Sequence, residues 1–285
     1  MIAVRPRRTV LYMPGSNARA LEKAKTLPAD ALILDLEDAV APDAKETARA
    51  QVYSAVAAGF GRREVAVRIN ALASPWGEED LRAAAAAKPD AILIPKVSSA
   101  ADLQTVEDGL GNAEIALWAM IETPRAVLDV SAIAASGGRL RCLVMGTNDL
   151  LKETGGRVLP GRANLAAALS LTVLAARANG LCVIDGVFND IADTEGFAAE
   201  CAEGRSFGFD GKTVIHPSQL APCNAAFAPS PAEVEAAKKL IAAFENPENR
   251  GAGAIKLDGR MVERLHAEVA RRLVALAEAI AMLEK

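Results

Sequence analysis

Eight short segments of almost unbroken apolar character recur along the chain at intervals of roughly 20–40 residues. Because apolar and polar residues do not alternate within them, they are typical of parallel strands that are covered on both faces. We therefore predict eight buried strands: TVLYM (9–13), ALILDL (31–36), EVAVRI (64–69), AILIPKV (91–97), IALWAMI (115–121), CLVMG (142–146), VIDGVF (183–188) and KTVIH (212–216).

Alanine-rich segments with helical periodicity separate these strands. The predicted helices include residues 18–26, 44–58, 78–87, 124–135, 164–178 and 193–204. Eight strand-then-helix units over about 220 residues predict an α/β protein of the (β/α)8 or TIM-barrel type. The alternative is an open doubly wound sheet, but Pro14-Gly15-Ser16 follows the first strand in place of a G-x-G-x-x-G turn. We therefore favour the barrel.

The pattern changes after the last predicted strand. Two further helices, at 231–245 and 261–284, are separated by the polar, glycine-rich segment ENPENRGAGAIKLDGR. This tail is too small to be an independent domain. We therefore predict a barrel domain at residues 1–228 and a C-terminal helical extension at residues 229–285, which packs on the barrel or on a neighbouring subunit.

The composition excludes several classes of protein. Lys+Arg 32 against Asp+Glu 36 gives a net charge of -4, so the chain has no bulk electrostatic reason to bind nucleic acid or an anionic membrane. The four cysteines form no C-x-x-C pair, which favours free thiols in a reducing compartment. The N-terminus lacks the apolar stretch of a signal peptide, and no segment has about 20 uncharged apolar residues. We predict a cytoplasmic protein without a membrane anchor.

Polar side chains follow the predicted strands at their carboxyl ends, where barrel enzymes have their active sites. They are Glu37 and Asp38 after the second strand, Arg68 and Asn70 after the third, Lys96 after the fourth, Glu122 after the fifth, Asn148 and Asp149 after the sixth, and His216 after the eighth. Buried like charges are costly unless a cation neutralises them. Arg68 alone does not balance four carboxylates, so the pattern predicts a divalent cation with oxygen ligands, for which Mg²⁺ is the simplest choice.

Glu122 and Asp149 are the best candidates for the magnesium ligands, because each directly follows a strand. Each also has an ordinary alternative role. Asp149 could cap a helix that begins at Leu150, and Glu122 could cap the helix that begins near Thr123-Pro124.

Two other residues at this edge have simple interpretations. Lys96 could be a Schiff-base lysine, but the neighbouring acids would keep it protonated, so we expect an ion pair instead. His216 precedes Pro217 and is expected to anchor the loop after the last strand rather than to act as a base.

Several motifs together resemble one family of enzymes. VLYMPGSNARALEKA, LILDLEDAVAPDAK, VAVRIN, ILIPKV, MIETP, MGTNDL and GKTVIHPSQL occur in this order and are similar to motifs of the citrate lyase β-subunit-like family. That family belongs to the HpcH/HpaI aldolase group, which includes malyl-CoA and citramalyl-CoA lyases. The resemblance implies a Mg²⁺-dependent (β/α)8 barrel that makes or breaks a carbon–carbon bond beside an acyl thioester and assembles as a homotrimer or hexamer.

The resemblance also implies roles for individual residues. Glu122 and Asp149 match the metal-binding glutamate and aspartate of the family. Arg68 matches the arginine that contacts the thioester or keto oxygen. Glu37 and Asp38 match an acidic pair that orients this arginine and the metal-bound waters.

The segment KLDGRMVERLH resembles the C-terminal segment of the CoA-dependent members of the family. There it supplies a catalytic aspartate across a subunit interface, and the matching residue is Asp258. A carboxylate at this position can remove or return a proton on the methyl group of acetyl-CoA. Without the resemblance, KLDGR would be an ordinary turn.

The turn after the first strand is the expected binding site for CoA. Tyr12, Pro14 and Gly15 lie on a turn into a helix, where free backbone N–H groups can meet phosphate. Arg19 and Lys23 lie one turn apart on that helix and could contact the CoA phosphates. Many relatives carry a basic residue directly after the Gly-Ser position, where this chain has asparagine.

These features predict a lyase or synthase for a short, carboxylated 3-hydroxyacyl-CoA thioester of the malyl-CoA or citramalyl-CoA type, which yields an acyl-CoA and a 2-oxo acid. Mg²⁺ would polarise the oxo-acid carbonyl, and Arg68 would stabilise the enolate oxygen. Three alternatives stay open: a malyl-CoA thioesterase with the same metal site, a citrate lyase β subunit acting on a carrier-protein thioester, and a non-catalytic assembly partner. The tail with Asp258 argues against the second, and the retained charges argue against the third.

Overall fold

The computed structural model describes residues 5–285 and divides into two compact units. The first unit is Arg7–Phe227. The second is Ala228–Lys285 together with the described residues 5 and 6. Whether the second unit works as an extension that packs on a neighbouring subunit stays a prediction.

The first unit is a closed barrel of eight parallel strands, which are hydrogen-bonded in chain order, with the eighth strand pairing the first. The strands are β1 (Thr9–Pro14), β2 (Ala31–Asp35), β3 (Glu64–Arg68), β4 (Ala91–Ile94), β5 (Ala116–Ile121), β6 (Leu140–Met145), β7 (Cys182–Asp185) and β8 (Gly211–Val214). Each overlaps one of the eight apolar segments of the sequence. The closed sheet confirms the TIM-barrel prediction and excludes the open doubly wound sheet.

Helices connect the strands of this unit. They are α1 (Ala18–Ala24), α2 (Lys45–Ala58), α3 (Gly77–Ala87), α4 (Ala100–Leu110), α5 (Pro124–Leu128), α6 (Val130–Ala134), α7 (Thr147–Thr154), α8 (Ala166–Ala178), α9 (Thr194–Phe207) and α10 (Leu220–Phe227). The helix predicted at 124–135 is divided at Asp129, whose ψ of 7° departs from the helical value.

Two apolar cores stabilise the barrel. The inner core fills the barrel with side chains such as Val10, Ile33 and Trp118. The outer core packs the opposite faces of the same strands, for example Leu11 and Leu32, against the helices. Successive residues of one strand therefore enter different cores, which explains why the strands are apolar almost without interruption.

The second unit contains α11 (Pro231–Glu245), an antiparallel hairpin of β9 (Ala254–Leu257) and β10 (Arg260–Glu263), and α12 (Arg264–Leu283). The helix predicted at 231–245 is confirmed. The helix predicted from residue 261 is wrong at its start, because residues 260–263 form a strand. Asp258-Gly259 supplies the two-residue hairpin turn, with φ values of 49° and 80°. Within residues 5–285, no helix is long and apolar enough to span a bilayer.

Candidate active site

Arg68, the last residue of β3, is surrounded by carboxylates at the carboxyl end of the barrel. Its Nε and Nη2 donate hydrogen bonds to Oδ1 and Oδ2 of Asp35 at 2.7 and 2.6 Å. The two side chains meet because Asp35 and Arg68 are partners in the register of β2 and β3. Arg68 Nη1 also lies 3.0 Å from Glu37 Oε2 and 3.5 Å from Asp38 Oδ2. The guanidinium therefore has a fixed position and orientation.

Arg68, Asp35, Glu37 and Asp38 form what we call the arginine cluster, and their contacts control which of these groups are protonated. Burial alone would lower the pKa of Arg68, but Tyr12 and Asp35 raise it well above its ordinary value, so the guanidinium keeps its charge. Burial raises the pKa of Glu37 to about 7, because the opposing effect of Arg68 is outweighed. Among the described residues, Glu37 Oε2 accepts no hydrogen bond of good geometry. Glu37 is thus a largely but not fully buried carboxyl, and a pKa near 7 suits proton exchange near neutral pH.

The loop that carries Glu37 is held in place by Lys45 and Asn70. Lys45 Nζ donates to the carbonyl oxygens of Leu36 and Glu37 at 2.8 and 2.7 Å and to Asn70 Oδ1 at 2.7 Å. Asn70 Nδ2 donates to the same Leu36 carbonyl at 2.9 Å. Asn70, which the sequence placed at this edge, therefore supports the backbone that carries Glu37 and Asp38. Its role is structural.

Glu122 follows β5, and only 1% of its surface is exposed. Its Oε1 accepts a hydrogen bond of 2.6 Å from the backbone N–H of Lys96. Gly146 leaves the space that this carboxylate needs, since a Cβ there would lie 2.3 Å from Glu122 Cβ and 2.6 Å from Oε2. Burial raises the pKa of Glu122 to about 7, although the Lys96 N–H opposes the shift.

Asp149 lies in the first turn of α7, and its Oδ1 is 3.1 Å from Lys96 Nζ. Burial would lower the pKa of Lys96, but the hydrogen bond with Asp149 raises it above its ordinary value. A protonated amine is a poor nucleophile. The ion pair predicted for Lys96 is confirmed, and the Schiff-base alternative finds no support.

Neither Glu122 nor Asp149 caps a helix. The cap of α5 is Thr123, whose hydroxyl accepts the N–H of Ala126 at 3.0 Å. Gly146 occupies the N-cap position of α7, so Asp149 lies inside the helix. The capping alternative is therefore wrong for both residues.

The chemistry of this acidic pair fits a Mg²⁺ ion. Glu122 and Asp149 both contact Lys96, one through its backbone N–H and the other through its ammonium group. Within residues 5–285, no cluster of three or more His, Cys, Asp or Glu side chains could hold a metal by itself. One or two carboxylates are, however, the usual protein contribution to a Mg²⁺ site, where waters and substrate oxygens complete the coordination. The pKa of Glu122 is raised by burial although the charges of Lys96 and Arg68 oppose the shift, so a further cation beside this carboxylate would favour its ionised form.

Tyr12, Pro14 and Gly15, predicted to bind CoA, have other contacts in the structure. The ring of Tyr12 lies 5.0 Å from the guanidinium carbon of Arg68, which places this side chain in the arginine cluster rather than on the turn. A Cβ on Gly15 would lie 2.6 Å from the carbonyl oxygen of Asp35, so the glycine allows β1 and β2 to approach closely. Pro14 is the register partner of Asp35.

The start of α1 is the other half of the predicted CoA site. Asn17 caps this helix, and its Oδ1 accepts the N–H of Ala20 at 3.1 Å. One of the N–H groups expected to meet phosphate is thus bonded within the chain. Arg19 and Lys23 are exposed on α1. Their contact with CoA phosphates stays a prediction.

Asp258 lies in the turn between β9 and β10 of the second unit, where its two carboxylate oxygens are both 2.7 Å from Lys239 Nζ. Its side chain is 66% exposed. Its φ of 49° is a left-handed value that Asp and Asn adopt more readily than most residues. The catalytic role of Asp258 stays a prediction.

His216 anchors the loop after β8. Its Nδ1 accepts the N–H of Ser218 at 3.2 Å and caps the short 3₁₀ turn Pro217–Gln219. The side chain of Gln219 reaches back to accept the N–H of Ile215 at 2.9 Å. The interpretation of His216 as a loop anchor is therefore confirmed.

Sequence reasoning missed two sets of buried charges. Asp35 was not recognised as the partner of Arg68, although its alternation with Ala31 and Ile33 puts it on the inward face of β2. A second ion-pair network joins Asp185 to Lys212 Nζ at 3.3 Å and to Arg162 Nη1 at 2.7 Å.

A closed (β/α)8 barrel with an arginine and carboxylates converging at the carboxyl ends of its strands has the design of a TIM-barrel enzyme site. A family model described as HpcH/HpaI aldolase/citrate lyase matches residues 8–217, and the chain belongs to this family. A second model, described as a C–C bond lyase of the TIM-barrel fold, matches residues 163–282. The family resemblance predicted from the motifs is confirmed.

Individual relatives match almost the full chain. A (3S)-malyl-CoA thioesterase of Cereibacter sphaeroides is 53% identical over 277 residues, covering 97% of this chain and 96% of the relative. An L-malyl-CoA/β-methylmalyl-CoA lyase of the same species is 34% identical over 97% of this chain and 96% of its own length. The solved structure of the CitE protein of Mycobacterium tuberculosis with magnesium, acetoacetate and coenzyme A is 28% identical. It has a TM-score of 0.80 and covers 97% of this chain and 100% of that chain.

Proposed function

We propose that the protein is a Mg²⁺-dependent enzyme that hydrolyses a short, carboxylated CoA thioester of the malyl-CoA type to free CoA and a hydroxy acid. The observation that carries this proposal is the 53% identity, over nearly the whole chain, to a (3S)-malyl-CoA thioesterase. Two other relatives support the coarser assignment of substrate class and metal. They are the lyase, which is 34% identical, and the CitE protein with bound magnesium and coenzyme A, which is 28% identical. The proposal thus takes the thioesterase, first considered as an alternative, ahead of the lyase.

The residues of the cluster have complementary tasks in this reaction. Arg68 holds a fixed positive charge where the thioester oxygen becomes negative, and one donor of this kind is commonly worth about 3–4 kcal/mol. Glu37 lies beside it at 3.0 Å and is placed to take a proton from the attacking water. Glu122 and Asp149 would hold Mg²⁺, which when bound supplies chelation and charge neutralisation for the acid end of the substrate.

Carbon–carbon cleavage of the same substrate is the second candidate. It is favoured by the match of residues 163–282 to the C–C bond lyase model. In that reaction Arg68 would stabilise the enolate oxygen of the acyl-CoA product, and Asp258 would return a proton to its methyl group. A citrate lyase β subunit or a non-catalytic assembly partner is less well supported, because the more similar relative acts on a CoA thioester.

The deciding experiment incubates the full chain with (3S)-malyl-CoA and Mg²⁺ and quantifies free thiol, malate, acetyl-CoA and glyoxylate. A thioesterase releases CoA and malate in equal amounts without glyoxylate. A lyase releases acetyl-CoA and glyoxylate without free thiol, and this outcome would replace the first proposal by the second. Release of none of the four products would contradict both.

Variants of two glutamates connect the reaction to the site. Glu122→Gln should abolish turnover and weaken Mg²⁺ binding, because it removes a charged ligand. Glu114→Gln is the matched control, since Glu114 is exposed just before the same strand. Equal activity of both variants would contradict the metal assignment.

The proposal includes a cytoplasmic enzyme that assembles as a homotrimer or hexamer. Free thiols at all four cysteines support a reducing compartment. Sedimentation equilibrium of the full chain would measure the assembly, and a monomer at micromolar concentration would contradict it.

A further inference from the structure

Lys96 contacts both acids of the proposed metal site through two different groups. Its backbone N–H donates to Glu122 Oε1 at 2.6 Å, and its Nζ lies 3.1 Å from Asp149 Oδ1. A single residue after β4 therefore joins an acid after β5 to an acid on α7. Two other cations lie at this edge. Arg68 is occupied by Asp35, Glu37 and Asp38. Lys45 is occupied by Asn70 and by the carbonyl oxygens of Leu36 and Glu37.

The backbone at Lys96 has an unusual conformation for a lysine. Its φ is 52°, in the left-handed region that glycine adopts more easily. This conformation accompanies the short hydrogen bond from the Lys96 N–H to Glu122. A glycine here could donate the same hydrogen bond without a side chain. The lysine therefore adds an ammonium group that the backbone geometry does not require.

The exposure of the two side chains allows this ammonium group to leave. The side chain of Lys96 is 41% exposed, and that of Asp149 is 22% exposed. In contrast, the Arg68 side chain is only 8% exposed and is bound by two hydrogen bonds to Asp35. Lys96 is thus the movable cation of the cluster, whereas Arg68 is the fixed one.

We propose that Lys96 is a built-in counter-cation of the metal site, which neutralises Asp149 in the metal-free protein and is displaced when the divalent ion binds. This inference rests on the proposed function, because it takes Glu122 and Asp149 as the metal ligands. Lys96 stabilises the metal-free state and competes with the metal for one of its ligands. The two effects have opposite signs, and a purely structural residue would not produce both.

The test compares wild type with Lys96→Gln, using the full chain at low ionic strength. Mn²⁺ binding followed by electron paramagnetic resonance and Mg²⁺ binding followed by calorimetry give the affinities. Loss of one positive charge beside the ligand should tighten metal binding about three- to tenfold. Thermal unfolding in EDTA should show a lower midpoint for the variant, while saturating Mg²⁺ should raise its midpoint more than that of wild type.

Three further variants separate charge from structure. Lys96→Arg keeps the charge and should bind the metals within about twofold of wild type. Lys152→Gln removes an exposed positive charge from α7, the helix of Asp149, and should leave the affinity unchanged. Lys96→Gly suits the left-handed backbone and keeps the N–H donor, so it should reproduce the tighter binding even if Lys96→Gln does not fold.

The outcomes distinguish the inference from the function on which it rests. If wild type binds Mg²⁺, but Lys96→Gln and Lys96→Gly both bind it with unchanged or weaker affinity, the inference alone is overturned. Failure of wild type to bind either ion would overturn the metal site and with it the inference. If Lys152→Gln also binds the metal more tightly than wild type, the effect comes from general surface charge, and the inference is overturned.

Discussion

At the scale of single residues, the site is organised by two buried charges with different environments. Arg68 has carboxylates beside its Nε, Nη1 and Nη2 atoms and keeps its positive charge. Glu122 has the Lys96 backbone N–H on one oxygen, and burial raises its pKa although the charges of Lys96 and Arg68 oppose this. The carboxyl end of the barrel therefore combines a permanent cation with a buried acid, and this combination suits the proposed binding of an anionic substrate beside a metal.

Asp35 is the residue whose loss should disturb Arg68 most. We expect Asp35→Asn to reduce kcat/KM at least a hundredfold and to lower the free energy of unfolding by about 3–5 kcal/mol, because it leaves a buried guanidinium without its bidentate partner. Asp43→Asn, at an exposed aspartate after the same strand, is the control and should be neutral. Steady-state kinetics and urea unfolding measure both effects. A variant with normal kinetics would show that Glu37 and Asp38 suffice to orient Arg68.

The two carboxyls with raised pKa predict how metal binding depends on pH. Glu122 must lose its proton to bind Mg²⁺, and its pKa in the metal-free protein is about 7. Affinity should therefore rise with pH and level off above 7, with about a tenfold loss per pH unit below it. Calorimetry between pH 5.5 and 8.5 would test this, and a flat profile would exclude Glu122 as a ligand that titrates in this range.

The free energy of unfolding of the metal-free protein should fall as the pH rises, whereas the affinity for Mg²⁺ rises. The pKa of Glu37 and of Glu122 rises from 4.5 in the reference state to about 7 in the fold, so the folded protein binds more protons between these values. Their contribution to the free energy of unfolding is present at low pH and is lost as the pH rises through 7. Urea unfolding in EDTA, with Glu37→Gln as the comparison, should show a smaller loss in the variant. Identical slopes would argue against the raised pKa of Glu37.

At the scale of elements, the junction of β6 and α7 sets the space for the two proposed metal ligands. Gly146 ends the strand, caps the helix and leaves room for the Glu122 carboxylate. Its φ of -108° suits any residue, so steric contact alone explains the need for glycine. The junction that leads into the helix of Asp149 therefore also determines where Glu122 can lie.

Gly146→Ala should consequently weaken Mg²⁺ binding strongly at a modest cost in stability. The added Cβ would push Glu122 away, and overpacking of this kind costs typically about 1–3 kcal/mol. Gly253→Ala is the control, because nothing lies within 4 Å of its Cβ position and its φ is not positive. Calorimetry and thermal unfolding give the two quantities. Unchanged metal affinity in Gly146→Ala would mean that Glu122 can move without loss of function.

The elements also show what the sequence could and could not reveal. Apolar segments and the polar residues after them were enough to predict the eight strands and to find Arg68 and Glu122, because the ends of parallel strands meet at one edge. The sequence predicted an ion pair for Lys96 but not its partner, because Lys96 and Asp149 are 53 residues apart and lie on different elements. Asp35 was missed because it continues an apolar run, and the hairpin in the second unit was missed because its strands are short and polar.

At the scale of the whole molecule, the open question is whether the second unit contributes to catalysis. Asp258 is held by an exposed ion pair with Lys239, with 66% and 59% of the two side chains accessible. Exposed pairs contribute on average about 0–1 kcal/mol to stability. The fold thus does not need Asp258, and a loss of activity on its replacement would report on chemistry.

In the lyase reaction, where Asp258 would return a proton to the acyl-CoA product, we expect Asp258→Asn to lower turnover at least a hundredfold while the midpoint of thermal unfolding stays within about 2 °C of wild type. Lys239→Gln breaks the same ion pair and keeps the carboxylate, so it should remain active. The product assay described above measures turnover. Full activity of Asp258→Asn would remove this residue from the mechanism.

The inner core, with Trp118 fully enclosed among Val10, Ile33 and their neighbours, has a consequence for how ligands travel. This packed core closes the interior of the barrel, so a ligand cannot pass from the amino ends of the strands to the arginine cluster. Under the proposed function, the ion, the thioester, water and both products would all enter and leave at the carboxyl ends of the strands. A CoA chain bound over this end would lie above the small acid, and the proposed hydrolysis would then release CoA before the hydroxy acid.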